Sequence, residues 1–266
     1  MNNPLKRLLF NWRYANKTEH NQQIGDIILK FSTKDAYSKS WFYPRYDNGN
    51  IHEPAVSKLL FQALKPTDCF FDVGTNLGYF TCLAAHICET QVHAFEMDSN
   101  CIPLLETNLK MNHLENVVIN NVAVSDKVGV EKIPSLAQPN AGLQIVKESN
   151  SAAVLEVKSI TLDEYVEKNN LNPTFLKIDV EGAEMKVLSG MKNLLQKDLR
   201  LLIEIHPKNL LDFNASYQKV IAILLENNYS IEEITAHRID KQAVQRKKID
   251  INSIIENNTM LFAWKA

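Results

Sequence analysis

Glycine is scarce in this 266-residue chain, which has only eight, so the places where it does occur carry information. Long apolar runs are missing altogether. None approaches the ~20 residues needed to span a bilayer, and the basic start Met1–Arg7 is followed only by Leu8-Leu9-Phe10, too short for a signal-peptide core. Cysteine is sparse as well. Cys69, Cys82, Cys88 and Cys101 form no CxxC pair, and three of them fall in expected core elements, which points to a reduced, cytoplasmic protein. Neither sign of charge is in surplus: 29 Lys plus Arg against 31 Asp plus Glu leaves a net charge of −2. That balance argues against a protein that coats nucleic acid or an anionic membrane. No internal repeat or low-complexity tract is found.

What is present is ordinary globular material, 45% hydrophobic and 23% charged. From residue 69 onward, short apolar runs alternate with helical periodicities, the signature of an α/β fold with a parallel sheet. Strands are expected at Cys69–Val73, Gln91–Glu96, from Val117, at Phe175–Asp179, Leu201–Ile205, Tyr229–Ile234 and Thr259–Trp264. Helices are expected at 78–87, 99–112, 215–227 and, from the pattern Ala183, Val187, Leu188, Met191, Leu194, Leu195, after the fourth strand. Residues 127–160 read as strands and turns (Leu143–Lys147, Val154–Ile160), and 235–258 as a polar excursion. Residues 1–50 read as an annex and possible lid, with a hairpin of Asp26–Phe31 against Lys39–Tyr46, ahead of one domain over 51–266. A helix starts near Pro54, with Val56, Leu59, Leu60 and Leu64 as its stripe.

Two of the glycines fall in Asp72-Val73-Gly74-Thr75-Asn76-Leu77-Gly78, at a strand-to-helix junction. Such a turn permits unusual dihedrals and the approach of a ligand to bare backbone, and the helix that follows aims N–H groups at the crevice. The spacing is not that of a dinucleotide fingerprint. The next strand ends in Glu96-Met97-Asp98, and an acid at that tip beside a glycine turn accepts hydrogen bonds from both ribose hydroxyls. The plainer alternatives are turn chemistry for Gly74 and Gly78 and a solvated strand end for Glu96.

Lys177-Ile178-Asp179-Val180-Glu181-Gly182-Ala183-Glu184 puts three carboxylates at the end of a central strand, where open α/β sheets place their reactive centre. Asp179 reads as functional, whereas Glu184 reads as an acid favouring a helix N-terminus. Lys177, within a strand, needs an acidic partner. Glu204 and His206 share a strand face; His206 serves either as a general base or as a hydrogen-bonded strand end. Asp179, Glu204 and His206 suit a divalent metal, but no spacing demands one. His93 reads as a satisfied core residue. Lys241, Arg246, Lys247 and Lys248 have no interleaved aromatics and read as a solvated connector.

These stretches, with Asn121-Val122-Ala123-Val124-Ser125-Asp126, Thr161-Leu162-Asp163-Glu164 and Ile203-Glu204-Ile205-His206, resemble the FkbM family of S-adenosylmethionine-dependent methyltransferases over roughly residues 50–210. The resemblance implies a Rossmann-like class I fold, a seven-stranded, mostly parallel sheet with its last strand antiparallel. It also implies S-adenosyl-L-methionine as cofactor. Gly74, Asn76, Gly78 and Asp72 would lie at its methionine end, closed by Glu53. Glu96 would hold the ribose, and Met97 with Asn121, Val122 and Ala123 would flank the adenine. Asp179, His206 and Glu181 are the catalytic candidates, Asp179 bordering the cofactor too. The implied acceptor is a hydroxyl on a sugar, polysaccharide or secondary metabolite, with no membrane or nucleic-acid partner. A non-catalytic module on the same fold and an RNA methyltransferase are the rival readings. An NAD-dependent dehydrogenase is disfavoured by the missing third glycine.

Overall fold

A computed structural model describes residues 9–10, 12–46, 49–146, 153–235, 238 and 244–265. Its first strands form an antiparallel hairpin, β1 (Glu19–Ile24) and β2 (Ile27–Ser32), paired from Glu19 with Ser32 to Ile24 with Ile27. The hairpin expected from the sequence, 26–31 against 39–46, is therefore corrected. Gly25, at φ +59°, supplies the left-handed turn one strand earlier. The aromatic run read as its second strand coils instead into helix α1 (Ala36–Tyr46). Asp35 caps that helix by accepting from the Ser38 N–H at 2.8 Å, and Trp41, Phe42 and Tyr43 are buried. A local cap and tertiary burial thus override the β-propensity of aromatics. Pro44 sits in the last turn of the helix.

Helix α2 (Pro54–Ala63) leads into the main α/β series. It runs β3 (Phe70–Val73), α3 (Tyr79–Ile87), β4 (Val92–Phe95), α4 (Ile102–Met111) and β5 (Val117–Asn120). A three-stranded excursion follows, β6 (Ala123–Val124), β7 (Gly129–Pro134) and β8 (Val154–Ile160), in the order β6-β8-β7. Leu143 to Val146 is not a strand, and Lys147 lies outside the described residues. The chain then returns through α5 (Leu162–Asn169), β9 (Phe175–Ile178), α6 (Glu184–Ser189), β10 (Arg200–Ile205), α7 (Pro207–Leu210), α8 (Tyr217–Glu226), β11 (Tyr229–Thr235), β12 (Gln245–Lys248) and β13 (Thr259–Lys265). Helix α6 stops sooner than its apolar pattern suggests. Gly190 ends it where a Cβ would meet the Ser125 carbonyl oxygen at 2.1 Å, and Leu194–Gln196 continues as a separate 3₁₀ turn.

The sheet order is β12-β11-β13-β10-β9-β3-β4-β5. Its strands run parallel from β5 to β10, and β13 lies antiparallel between β10 and β11. All seven expected strands are in place with the antiparallel strand last in sequence. An eighth, β12, pairs on the outer edge of β11 within the stretch read as a connector. It carries Arg246, Lys247 and Lys248, all exposed; Lys241 lies outside the described residues.

Both faces of the central strands are buried, which is why they read as unbroken apolar runs. Adjacent residues split between the faces with a period of two. Phe70, Phe175, Leu202 and Met260 pack on one side with Leu29, Phe31 and Phe42 from the first fifty residues. Phe71, Leu176, Leu201 and Leu261 pack on the other. No helix among the described residues is long and apolar enough to cross a membrane.

Two asparagines join the hairpin to the Rossmann-like core. Asn112, just after α4, accepts from the Lys30 N–H at 2.9 Å and donates to the Lys30 carbonyl at 2.7 Å. Asn108, fully buried, accepts from the Ser32 N–H at 2.9 Å and donates to the Leu77 carbonyl at 2.8 Å. Their amides act as a substitute strand along the edge of β2. Asn108→Ala orphans both backbone groups, so a loss of about 1–3 kcal/mol is expected in urea unfolding. An unchanged midpoint would show that the bracket contributes nothing.

Candidate functional site

Strand order reverses between β3 and β9, so the loops leaving their carboxyl ends diverge and open a crevice. The two ends nearly touch. Gly74 is at φ +86°, and a Cβ there would lie 1.8 Å from the Asp179 carbonyl oxygen. Bare backbone at 74 is thus required by the neighbouring chain itself. Gly78 is favoured for a different reason, its left-handed backbone at φ +81°. Asn76 between them is also left-handed, at φ 50°, and its side-chain oxygen accepts from the Tyr37 hydroxyl at 3.1 Å.

Glu96, beyond the end of β4, folds back onto this turn. One carboxylate oxygen accepts from the Asn76 N–H at 2.7 Å and the other from the Asp98 N–H at 2.8 Å. Burial pushes its carboxyl up to about 7, against those two donors, which favour the charged form. Asn121 donates to the Glu96 carbonyl at 2.8 Å and so fixes the backbone that carries the acid.

At the end of β9 a second group collects around a buried lysine. Lys177 reaches Asp179 Oδ2 at 3.2 Å and lies over the Phe80 ring. Burial works against its charge, but Asp179, Asp72 and Glu53 outweigh it and hold the ammonium protonated. Burial likewise opposes the charge on Asp179, yet Lys177 and His206 keep its carboxyl below the usual range. His206, 1% exposed, directs Nδ1 to Glu184 Oε1 at 2.7 Å. Its Nε2 faces Glu181 at 3.5 Å, Glu204 at 3.8 Å and Asp179 at 3.9 Å. Burial disfavours the imidazolium, but the Glu184 bond and the surrounding carboxylates push it up to about 9. Glu184, read from sequence as a helix-terminus acid, is fully buried and also accepts from the Gly182 N–H at 3.0 Å. Glu204 pairs with Arg238 at 2.7 Å.

A single cavity of about 820 Å³ joins the two groups, within the size range of small-molecule sites. Of the residues singled out from sequence, Glu53, Gly74, Asn76, Glu96, Met97, Val122, Ala123, Asp179 and Glu181 line it. Asp72, Gly78, Asn121 and His206 stand behind that lining. Asp72 is 1% exposed and accepts from the Thr81 hydroxyl at 2.6 Å. Sequence reasoning missed Trp41, Arg45, Tyr46 and His52, which form a wall, and Arg238 at its rim. The aromatic density of 41–46 was the available signal; its reading as a strand hid it. Glu53 is buried at the N-terminus of α2, with φ 39°. Its Oε2 is buried and has no hydrogen-bond partner among the described residues.

The model of the Methyltransferase FkbM domain matches residues 72–231, more than half of the chain. The chain belongs to that family. It is 28% identical over 201 residues to the hexuronic acid methyltransferase AglP of Haloferax volcanii, covering 74% of this chain and 78% of that one. It is 24% identical over 201 residues to the 31-O-demethyl-FK506 methyltransferase FkbM of Streptomyces tacrolimicus, covering 63% and 75%. Among solved structures it is similar to an rRNA methylase from Streptococcus thermophilus, with a TM-score of 0.47, 13% identity and coverage of 79% and 93%. The protein is an S-adenosylmethionine-dependent methyltransferase, and S-adenosylmethionine is its methyl donor. The site fits that group, since Glu53 keeps an orphaned buried carboxylate oxygen that a cationic ligand would satisfy, and the Glu96 carboxylate sits at the glycine turn.

Gly74→Ala combines a strained φ, worth ~1–3 kcal/mol, with backbone overlap, and is expected to lower the melting temperature markedly; an unaltered melt would refute the close approach. His206 supplies a pH test. Its folded value, about 9, lies above the unfolded ~6.5. Its stabilisation is therefore complete below ~6.5 and lost as pH rises through about 9. Melting temperatures should fall over that window more steeply in wild type than in His206→Gln; parallel curves would count against the assignment.

Proposed function

We propose that the enzyme methylates a carbohydrate hydroxyl, with an acidic sugar as the acceptor. The observation that carries this reading is that Trp41 and Tyr46 line the same cavity as Asp179 and Glu181, with two guanidinium groups beside them: Arg45, stacked on Trp41, and Arg238, paired with Glu204 at 2.7 Å. The hexuronic acid methyltransferase among its relatives supports the same choice of acceptor.

In this reading Glu96 accepts from the donor's ribose hydroxyls, Met97, Val122 and Ala123 flank its adenine, and Gly74, Asn76 and Glu53 hold its methionine end. Asp72, Gly78 and Asn121 support these positions from behind, and Asp179 borders the donor on the acceptor side. When bound, S-adenosylmethionine supplies an electrophilic methyl on a sulfonium, whose departure as a neutral thioether needs no general acid. The chain must hold the acceptor oxygen in line and remove its proton, and positioning carries much of the work. His206 is cationic at neutral pH, so it anchors carboxylates and does not itself take the proton. Asp179 is already engaged by Lys177. Glu181, 26% exposed and raised by burial above the ordinary carboxylate range, is the better proton acceptor.

Calorimetry with S-adenosylmethionine tests the donor side. Glu96→Ala is expected to weaken binding by about 1.5–3 kcal/mol, roughly tenfold or more. Wild-type affinity should also weaken as pH falls below about 7, where Glu96 takes up a proton; undiminished affinity in the variant would remove the ribose assignment. On the acceptor side, Glu181→Gln should lower turnover of a uronic acid glycoside by ~10²–10⁴-fold while donor affinity holds. Equal turnover would dismiss Glu181 as the proton acceptor.

A further inference from the structure

We propose that Asp179, Glu181 and His206 form a binding site for a divalent transition-metal ion at the acceptor end of the cavity. The use of such an ion in methyl transfer rests on the function proposed above; its binding does not. On binding, the ion displaces the His206 Nε2 proton to solvent and engages Glu181, so the metal-bound form does not use Glu181 as a free base. One ligand atom from each of the three residues lies within 4.8 Å of the other two. His206 Nε2 stands 3.5 Å from Glu181 Oε2 and 3.9 Å from Asp179 Oδ1. Two ligands ~2.1 Å from one ion, at tetrahedral to octahedral angles, stand about 3.0–3.4 Å apart. Closing this set onto an ion therefore takes shifts of up to about an ångström, within reach of side-chain rotation at the partly exposed Glu181.

Three features beyond proximity prepare the set. The imidazole is nearly fully buried, and its Nε2 contacts, at 3.5–3.9 Å, are longer than hydrogen bonds. Its other nitrogen is bound to Glu184, itself fully buried. That carboxylate–histidine pairing is the arrangement that orients metal-ligating histidines and raises their basicity. Asp179 is divided in a similar way: Lys177 holds Oδ2, which leaves Oδ1 toward His206.

One nitrogen and two carboxylate ligands suit Mn²⁺, with its remaining positions free for an acceptor hydroxyl and water.

The test is titration of chelator-stripped full-length protein with Mn²⁺, read by the loss of the free-ion EPR signal. One ion per chain is expected. Asp179→Asn and Glu181→Gln should each weaken binding sharply, and Glu184→Gln, through His206, by about 10–100-fold. S-adenosylmethionine affinity is measured on the same samples. Glu181 is partly exposed, so its variant keeps the test open should Asp179→Asn fail to fold. Mn²⁺ left free at millimolar concentration with folded wild type would overturn the proposal, as would equal binding by wild type and Glu181→Gln. Site-dependent Mn²⁺ binding without S-adenosylmethionine binding would uphold the cation site and fault the donor-site assignment instead.

Discussion

The contact on which the rest depends is the near-collision of two strand ends. The turn after β3 and the first residue beyond β9 approach so closely that no side chain fits at position 74. The Asp179 N–H also donates to the Val73 carbonyl at 2.9 Å, which locks the two ends together. This contact sets the distance between the turn that carries Asn76 and the carboxylates that follow Asp179. One cavity then holds both, because the loops have nowhere else to go once the strands are paired.

The lysine beneath that contact sets the electrostatics. A buried ammonium is tolerable only with acids around it, and Lys177 has Asp179 in direct contact, with Asp72 and Glu53 contributing from farther off. The result is a site polarised in two directions. Asp179 is kept ionised at one end, while Glu96 at the other is raised toward neutrality by its own burial. His206 stabilises the carboxylates around it as a cation, and in the function proposed above the work of proton removal falls to Glu181.

Much of the architecture could be read from the chain because buried parallel strands write themselves as short apolar runs, and all seven appeared as such. The turn from Asp72 to Gly78 was equally legible, since positive φ at 74, 76 and 78 favours glycine and asparagine, and the acid at 96 stood out by its place at a strand tip. What failed was anything fixed by distant partners. Residues 36–46 carry the aromatics of a strand and became a helix because Asp35 caps them and the core receives them. β12 is polar throughout and gains its strand character only by pairing with β11. Glu184 could not be distinguished from a helix-terminal acid until His206, twenty-two residues later, was seen against it.

The cavity divides by origin. One part of its lining is made from strand ends and the tight turns between them, where a change of residue disturbs the sheet. The rest draws on segments added around that sheet: helix α1 with Trp41 and Arg45, the loop bearing Leu143 and Ile145, and Arg238 beyond β11. Those segments are free to vary in length and chemistry while the sheet stays constant. New acceptors are therefore open to descendants of this chain by drift in its outskirts, with the inherited machinery for the methyl donor left intact.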